Sequence, residues 1–210
     1  MSDGSNPWLS RPVEPAVPVP AASESAAKRP TGPSVPQRGV PAPDPADRLP
    51  TRPLPQAADL WWVGAHGGSG ESTLSTLVPD WPAAEHAWPE PPGDAPTRVV
   101  LVARTHMRGL RAAQAAATQW AAGLVPHVEV LGLVLVADAP GRLPRPLRDM
   151  TQLVGGGVPH TWTVPWIDSW RLGEPPSLPE APREVRRLVD DLNALLRPGA
   201  DGTAHRKENR

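Results

Sequence analysis

Residues Trp61-Trp62-Val63-Gly64-Ala65-His66-Gly67-Gly68-Ser69-Gly70-Glu71-Ser72-Thr73-Leu74 restrict the possible fold more than any other stretch of the chain. They read as a short apolar strand, a glycine-rich turn and the first turn of a helix. Successive glycines let a backbone fold tightly and aim several N–H groups at one point. Placed before a helix, such a turn is a cradle for phosphate. A strand that feeds a helix through so short a turn also calls for a parallel sheet, because the chain must cross back before it can pair again.

The rest of the chain supplies the strands for that sheet. Arg98-Val99-Val100-Leu101-Val102-Ala103 is apolar at almost every position, as in a strand buried on both faces. The same holds for Val128 to Ala137 around Leu131-Gly132-Leu133-Val134-Leu135-Val136. His160 to Val164 is a fourth strand. Helices are expected over Ser72–Val78, Met107–Ala122 and Pro144–Val154, with a last one from Pro182 carrying Val185, Leu188, Val189, Leu192, Leu195 and Leu196 as one apolar stripe. Strands alternating with helices predict a doubly wound α/β domain with a mostly parallel sheet of about four strands. Pro79 to Pro96 has no clear period and reads as a long connection.

The first 57 of the 210 residues hold fourteen prolines, so a disordered, proline-rich tail is expected there. Pro12, Pro15 and Pro18, and again Pro30, Pro33 and Pro36, share one edge of a polyproline II helix, a spacer or a docking strip for a protein partner. The domain is expected over residues 58–198, with a second tail over 199–210. A net charge of −1 gives no case for nucleic-acid binding, and the chain has no cysteine. No apolar run approaches the roughly 20 residues of a membrane span, so a cytoplasmic protein is expected. Phe and Tyr do not occur, and nine tryptophans carry all the aromatic surface. Trp162, Trp166 and Trp170 are expected in core and rim packing rather than as a platform for bases.

In a parallel α/β sheet, ligands bind beyond the carboxyl ends of the strands. The exits bring His66 to Glu71, Arg104-Thr105-His106, Asp138 and Asp168 to that edge. The phosphate-loop pattern G-x-x-x-x-G-K-[ST] places lysine on the phosphates and a hydroxyl on magnesium. Gly70 and Ser72 fit it, but Ala65 holds the first glycine position and Glu71 the lysine position. A carboxylate about 4 Å from a phosphate charge is repelled by up to about 4 kcal/mol at an effective dielectric of about 20. The only lysines, Lys28 and Lys207, lie outside the expected domain. Arg104 or Arg108 is the available substitute, provided it is free of Glu71. Alternatively Glu71 only complements the helix dipole, worth about 0.3–1 kcal/mol.

His66-Gly67-Gly68-Ser69-Gly70-Glu71-Ser72-Thr73 resembles the deviant Walker A loop, K-G-G-x-G-K-[ST]-T, of the MinD/ParA class of P-loop ATPases, with His66 and Glu71 in place of both lysines. Val99 to Arg104 with the following helix, and Gly132 to Asp138, are similar to strands of that class. Val164-Pro165-Trp166-Ile167-Asp168 is similar to its I-P-x-D segment beside the base. The resemblance implies a P-loop NTPase-like fold, a phosphate-binding loop over His66–Thr73 and a base side at Asp138, Pro165 and Asp168, with Arg104 and His106 as further crevice residues. The class also has an aspartate-bearing strand and a D-x-x-G magnesium segment; only Asp80 and Asp94 lie in the corresponding stretch, and neither follows an apolar strand. The chain also resembles an uncharacterised high-GC bacterial family with a G-A-H-G-G-x-G-E-S-T signature.

These features and the resemblance predict a degenerate P-loop, MinD/ParA-like protein that is hydrolysis-deficient and acts through partner binding or regulation, with ATP and magnesium disfavoured. One alternative is a nucleotide-binding regulatory or partition-type ATPase in which arginine replaces lysine. Another is a metal-dependent hydrolase using His66, Glu71, His106, Asp138 and Asp168.

Overall fold

The computed structural model describes residues 30–93 and 95–197. In chain order its elements are β1 (Thr51–Pro53), β2 (Trp61–Gly64), α1 (Glu71–Leu77), β3 (Trp88–Glu90), β4 (Thr97–Arg104), α2 (Met107–Ala121), β5 (Val128–Val136), α3 (Arg145–Gly155), β6 (Thr161–Val164), α4 (Asp168–Arg171) and α5 (Arg183–Leu196). Strands β2, β4, β5 and β6 form one parallel sheet in that order, and β1 pairs with β3 in a small parallel sheet of its own.

The two longest apolar runs become the central strands, because only a strand covered on both sides can bury every side chain. Alternation along the strands divides the core. Trp61, Val63, Val99, Leu101, Ala103, Leu133 and Leu135 pack under α2 and α3, with Leu110, Ala113, Ala117, Trp120 and Val154 from those helices. Trp62, Val100, Val102, Val134, Val136, Trp162 and Val164 face the other way, against Leu74 and Leu77 of α1 and Val185, Leu188 and Leu192 of α5. The sheet is therefore doubly wound, as expected. Tryptophans fill the volume that phenylalanine takes elsewhere: Trp62 and Trp81 meet edge to face at 5.9 Å and 62°.

A bulge sits between the pairs Val99–Val130 and Val100–Gly132, leaving Leu131 as the extra residue. It reverses the facing of β5, so that Val130 and Leu133 share one core and Leu131 joins the other. Gly132 is needed beside it, since a Cβ there would lie 2.4 Å from the His160 carbonyl oxygen and 2.5 Å from the Trp162 ring.

Two expectations change. The proline-rich segment does not stand apart from the fold up to residue 57: residues 30–57 form a strap on the domain. The Thr31 N–H donates to the Pro159 carbonyl and the Gln37 N–H to the Ala121 carbonyl, both at 2.8 Å. The buried Gln119 amide clamps Leu49, accepting from its N–H and donating to its carbonyl, both at 3.0 Å. Prolines lack N–H groups, which lowers the number of backbone donors the strap must satisfy, and the sheet domain meets these three. Pro12, Pro15, Pro18 and the segment 199–210 lie outside the described residues.

The second change concerns Pro79–Pro96, which is more than a connection. Its Ala83 bridges to Trp62, with the Trp62 N–H donating to Pro82 and the Ala84 N–H to Trp62. It then forms β3 and buries Trp81, Ala84, Ala87 and Trp88. The prolines that interrupt its periodicity sit where the edge of the sheet tolerates them.

Candidate functional site

The carboxyl ends of β2, β4, β5 and β6 lie side by side, and the glycine-rich loop starts at the first of them. Ala65 extends β2 by donating its N–H to Val102. The chain then turns through His66, whose carbonyl accepts from the Ser69 N–H at 3.2 Å. Gly68 (φ +75°) and Gly70 (φ +107°) occupy conformations that side chains rarely adopt, and Gly70 delivers the chain into α1.

Glu71, at the lysine position of the pattern, turns its side chain back under the loop. It is 3% exposed. Its Oε2 accepts the Gly64 backbone N–H at 2.6 Å, and its Oε1 lies 2.6 Å from His86 Nδ1. Gly64 makes the space: a Cβ there would fall 2.5 Å from Ser69 Oγ, 2.6 Å from His86 Nδ1 and 2.8 Å from the Glu71 carboxyl carbon. Burial pushes the Glu71 carboxyl above the ordinary carboxylate range, against the opposing pull of the Gly64 N–H and of His86.

His86 reaches this carboxyl from a strained turn. Glu85 (φ +53°) and His86 (φ +60°) are consecutive left-handed residues and neither is glycine, a conformation that persists only when its surroundings enforce it. Arg52 of β1 holds the turn by donating to Glu85 Oε2 at 2.7 Å. The small β1–β3 sheet thus places a histidine beside Glu71 and the end of β2.

A second set of contacts ties the loop to β4 and α2. His66 Nε2 accepts the Arg104 N–H at 3.1 Å, and its Nδ1 lies 2.9 Å from the Gly67 carbonyl, which assigns the proton to Nδ1. His106 caps α2, with Nδ1 accepting the Gly109 N–H at 2.9 Å. The two rings stand 5.1 Å apart. Burial, with smaller contributions from His106, His86 and Arg104, keeps His66 below the usual histidine range despite the Gly67 carbonyl.

Arg104 is not paired with Glu71. Its Nε donates to the Gly68 carbonyl and its Nη1 to the Ala137 carbonyl, both at 3.1 Å, so it clamps the loop to the end of β5. Burial and the nearby Arg171 hold its guanidinium below its ordinary pKa, with Asp138 acting the other way.

The expected site residues divide between two cavities. One, of about 170 Å³, lies among Gly70, Thr73, Arg104, Pro165, Trp170 and Arg171. The other, of about 600 Å³, takes in His106, Asp138, Pro165, Trp166 and the 139–144 loop. Asp168 faces neither: it accepts from Trp166 Nε1 at 2.6 Å. Ser69 is fully buried, and Ser72 lies exposed on α1. His66, Glu71, His106, Asp138 and Asp168 do not converge, and among the described residues no three His, Asp or Glu side chains form a metal-binding group. His86, Arg52 and Arg171 were not legible as site residues, since no motif marks them. Gly64 was expected only as the last residue of the first strand.

Fold and edge together define a parallel α/β domain with a glycine-rich loop after the first strand of its main sheet. The chain belongs to the family described as "Family of unknown function (DUF6668)", which matches residues 58–189. Neither curated proteins nor solved structures give a match. No helix among the described residues is long and apolar enough to cross a membrane.

Proposed function

We propose that this domain is a P-loop-like module of MinD/ParA type that has given up ATP hydrolysis and works by binding a partner. The observation behind this reading is the Glu71 carboxyl, buried in the loop and held by the Gly64 N–H and His86. In a working loop that position supplies a cation to the phosphates. Here the protein's own acid group fills the space and uses the backbone donor, so an incoming triphosphate meets both a steric and an electrostatic obstacle.

Phosphoryl transfer also requires an acid that holds magnesium. Asp80 is exposed at the start of the Pro79–Pro96 edge segment, beyond the end of α1. The function left to such a domain is recognition, and the proline-rich strap, with Pro30 and Pro36 exposed, is a surface suited to a protein partner.

Steady-state phosphate release from Mg-ATP tests this reading. The expected rate equals buffer for the wild type and for Glu71→Lys, because restoring the cation does not restore the magnesium-holding acid. Turnover above buffer that is lost in Ser72→Ala contradicts it.

A further inference from the structure

We propose that the cavity between the glycine-rich loop, the end of β5 and α4 binds a small phosphate monoester, gripped by the guanidinium groups of Arg104 and Arg171. The proposal goes beyond the reading above and does not depend on it: the cavity opens on the Gly70 and Thr73 end of the loop, and the buried Glu71 carboxyl is not part of its wall.

Both arginines line this cavity, together with Gly70, Thr73, Pro165 and Trp170, and no acidic side chain does. Each is oriented by contacts other than an ion pair. Arg104 spends Nε and Nη1 on the Gly68 and Ala137 carbonyls, which fixes its plane. Its remaining nitrogen, Nη2, lies on the Gly70 side, 4.0 Å from where a Cβ on Gly70 would be. Arg171 is stacked over the Trp166 ring at 4.5 Å.

Two guanidinium groups brought to one cavity repel each other, and burial raises the cost for Arg104. A dianion between them relieves that repulsion: Arg104 offers Nη2, and Arg171 a planar guanidinium fork that matches phosphate oxygens. Thr73 adds a hydroxyl to the same wall. The 170 Å³ equals about six waters at roughly 30 Å³ each, enough for a phosphate group with a short carbon stem. A nucleoside triphosphate is several times larger. Trp170 offers an apolar wall for the stem.

The test is isothermal titration of the full chain with inorganic phosphate and with glycerol 3-phosphate, at constant ionic strength set by chloride. Saturable binding is expected, tighter for the ester than for inorganic phosphate because of the Trp170 wall. Arg171→Gln, on an exposed helix, weakens both about tenfold or more by removing a charge-assisted contact. Arg104→Gln does the same, and circular dichroism shows whether it is folded; Arg171→Gln decides the matter if it is not. Heats that are the same in wild type and Arg171→Gln, or that vanish when chloride is raised at fixed phosphate, overturn the proposal. Mg-ATP binding that depends on Ser72 and survives Arg171→Gln contradicts the pseudo-ATPase reading and leaves this site standing, which separates the two failures.

Discussion

Replacing Glu71 with alanine and with glutamine separates a buried carboxyl that fills the loop from an acid that merely favours a helix dipole. Alanine removes the acceptor of the Gly64 N–H, a donor enclosed within the loop. A buried donor left unpaired costs about 1–3 kcal/mol. Glutamine keeps an oxygen for that N–H, places its amide near His86 Nδ1, and removes the cost of burying a charge. The two variants should therefore differ by about 2 kcal/mol, or about 4–8 °C in melting temperature for a domain of this size. The glutamine variant should equal or exceed the wild type at neutral pH.

The pH dependence adds a second readout. The folded-state pKa of Glu71 is raised by burial, so the folded protein holds this proton more tightly than the unfolded chain. Its contribution to stability is full below the ordinary value of 4.5 and is lost as pH rises through the folded pKa. Glu71→Gln removes that slope. Urea unfolding at a series of pH values measures both effects. Alanine and glutamine variants of equal stability, each within about 1 kcal/mol of wild type and sensitive to salt, would refute the reasoning and return Glu71 to the dipole role.

Three further outcomes follow from the same geometry. His66 has a lowered pKa through burial, so its contribution is full above 6.5 and is lost as pH falls through the folded value; stability should drop as pH is lowered past 6.5, less so in His66→Gln, as followed by urea midpoints. Gly64→Ala should cost about 2 kcal/mol or more, because its Cβ would press on Ser69, His86 and Glu71 at once, and a melting curve within a degree of wild type would contradict the crowding. Gln119→Ala should release the strap, at about 1–2 kcal/mol for its two bonds to Leu49, and limited trypsin digestion should then cleave faster after Arg38 and Arg48.

The strands and main helices were readable because their signals are local. Val99–Ala103 and Leu131–Val136 are apolar throughout, and the Val185–Leu192 stripe has helical spacing. The burial of Glu71 was not readable, because it depends on where a side chain turns. The sequence placed Glu71 at the lysine position, but the direction of its carboxyl depends on the missing Cβ of Gly64 and on His86, fifteen positions further along. His86 is delivered by a left-handed turn that no local pattern announces, within a stretch whose prolines hide its strand. The docking of the strap was not readable for a related reason. Proline content argues for a chain that cannot build its own core, yet residues 30–57 use a core that already exists, anchored by Gln119 of a distant helix.

Arg104 shows the gain from combining the two levels. Composition identified arginine as the only cation left in the domain that might serve the loop, on condition that it was free of Glu71. The geometry meets that condition: Glu71 is engaged by Gly64 and His86, and Arg104 by two carbonyls.

The most direct test of the filled loop is isothermal titration of the wild-type protein with Mg-ATP at millimolar concentration. The account predicts no heat of binding that depends on Ser72. A saturable signal with micromolar affinity, abolished by Ser72→Ala, would mean that the Glu71 carboxyl leaves the loop and that the central claim is wrong.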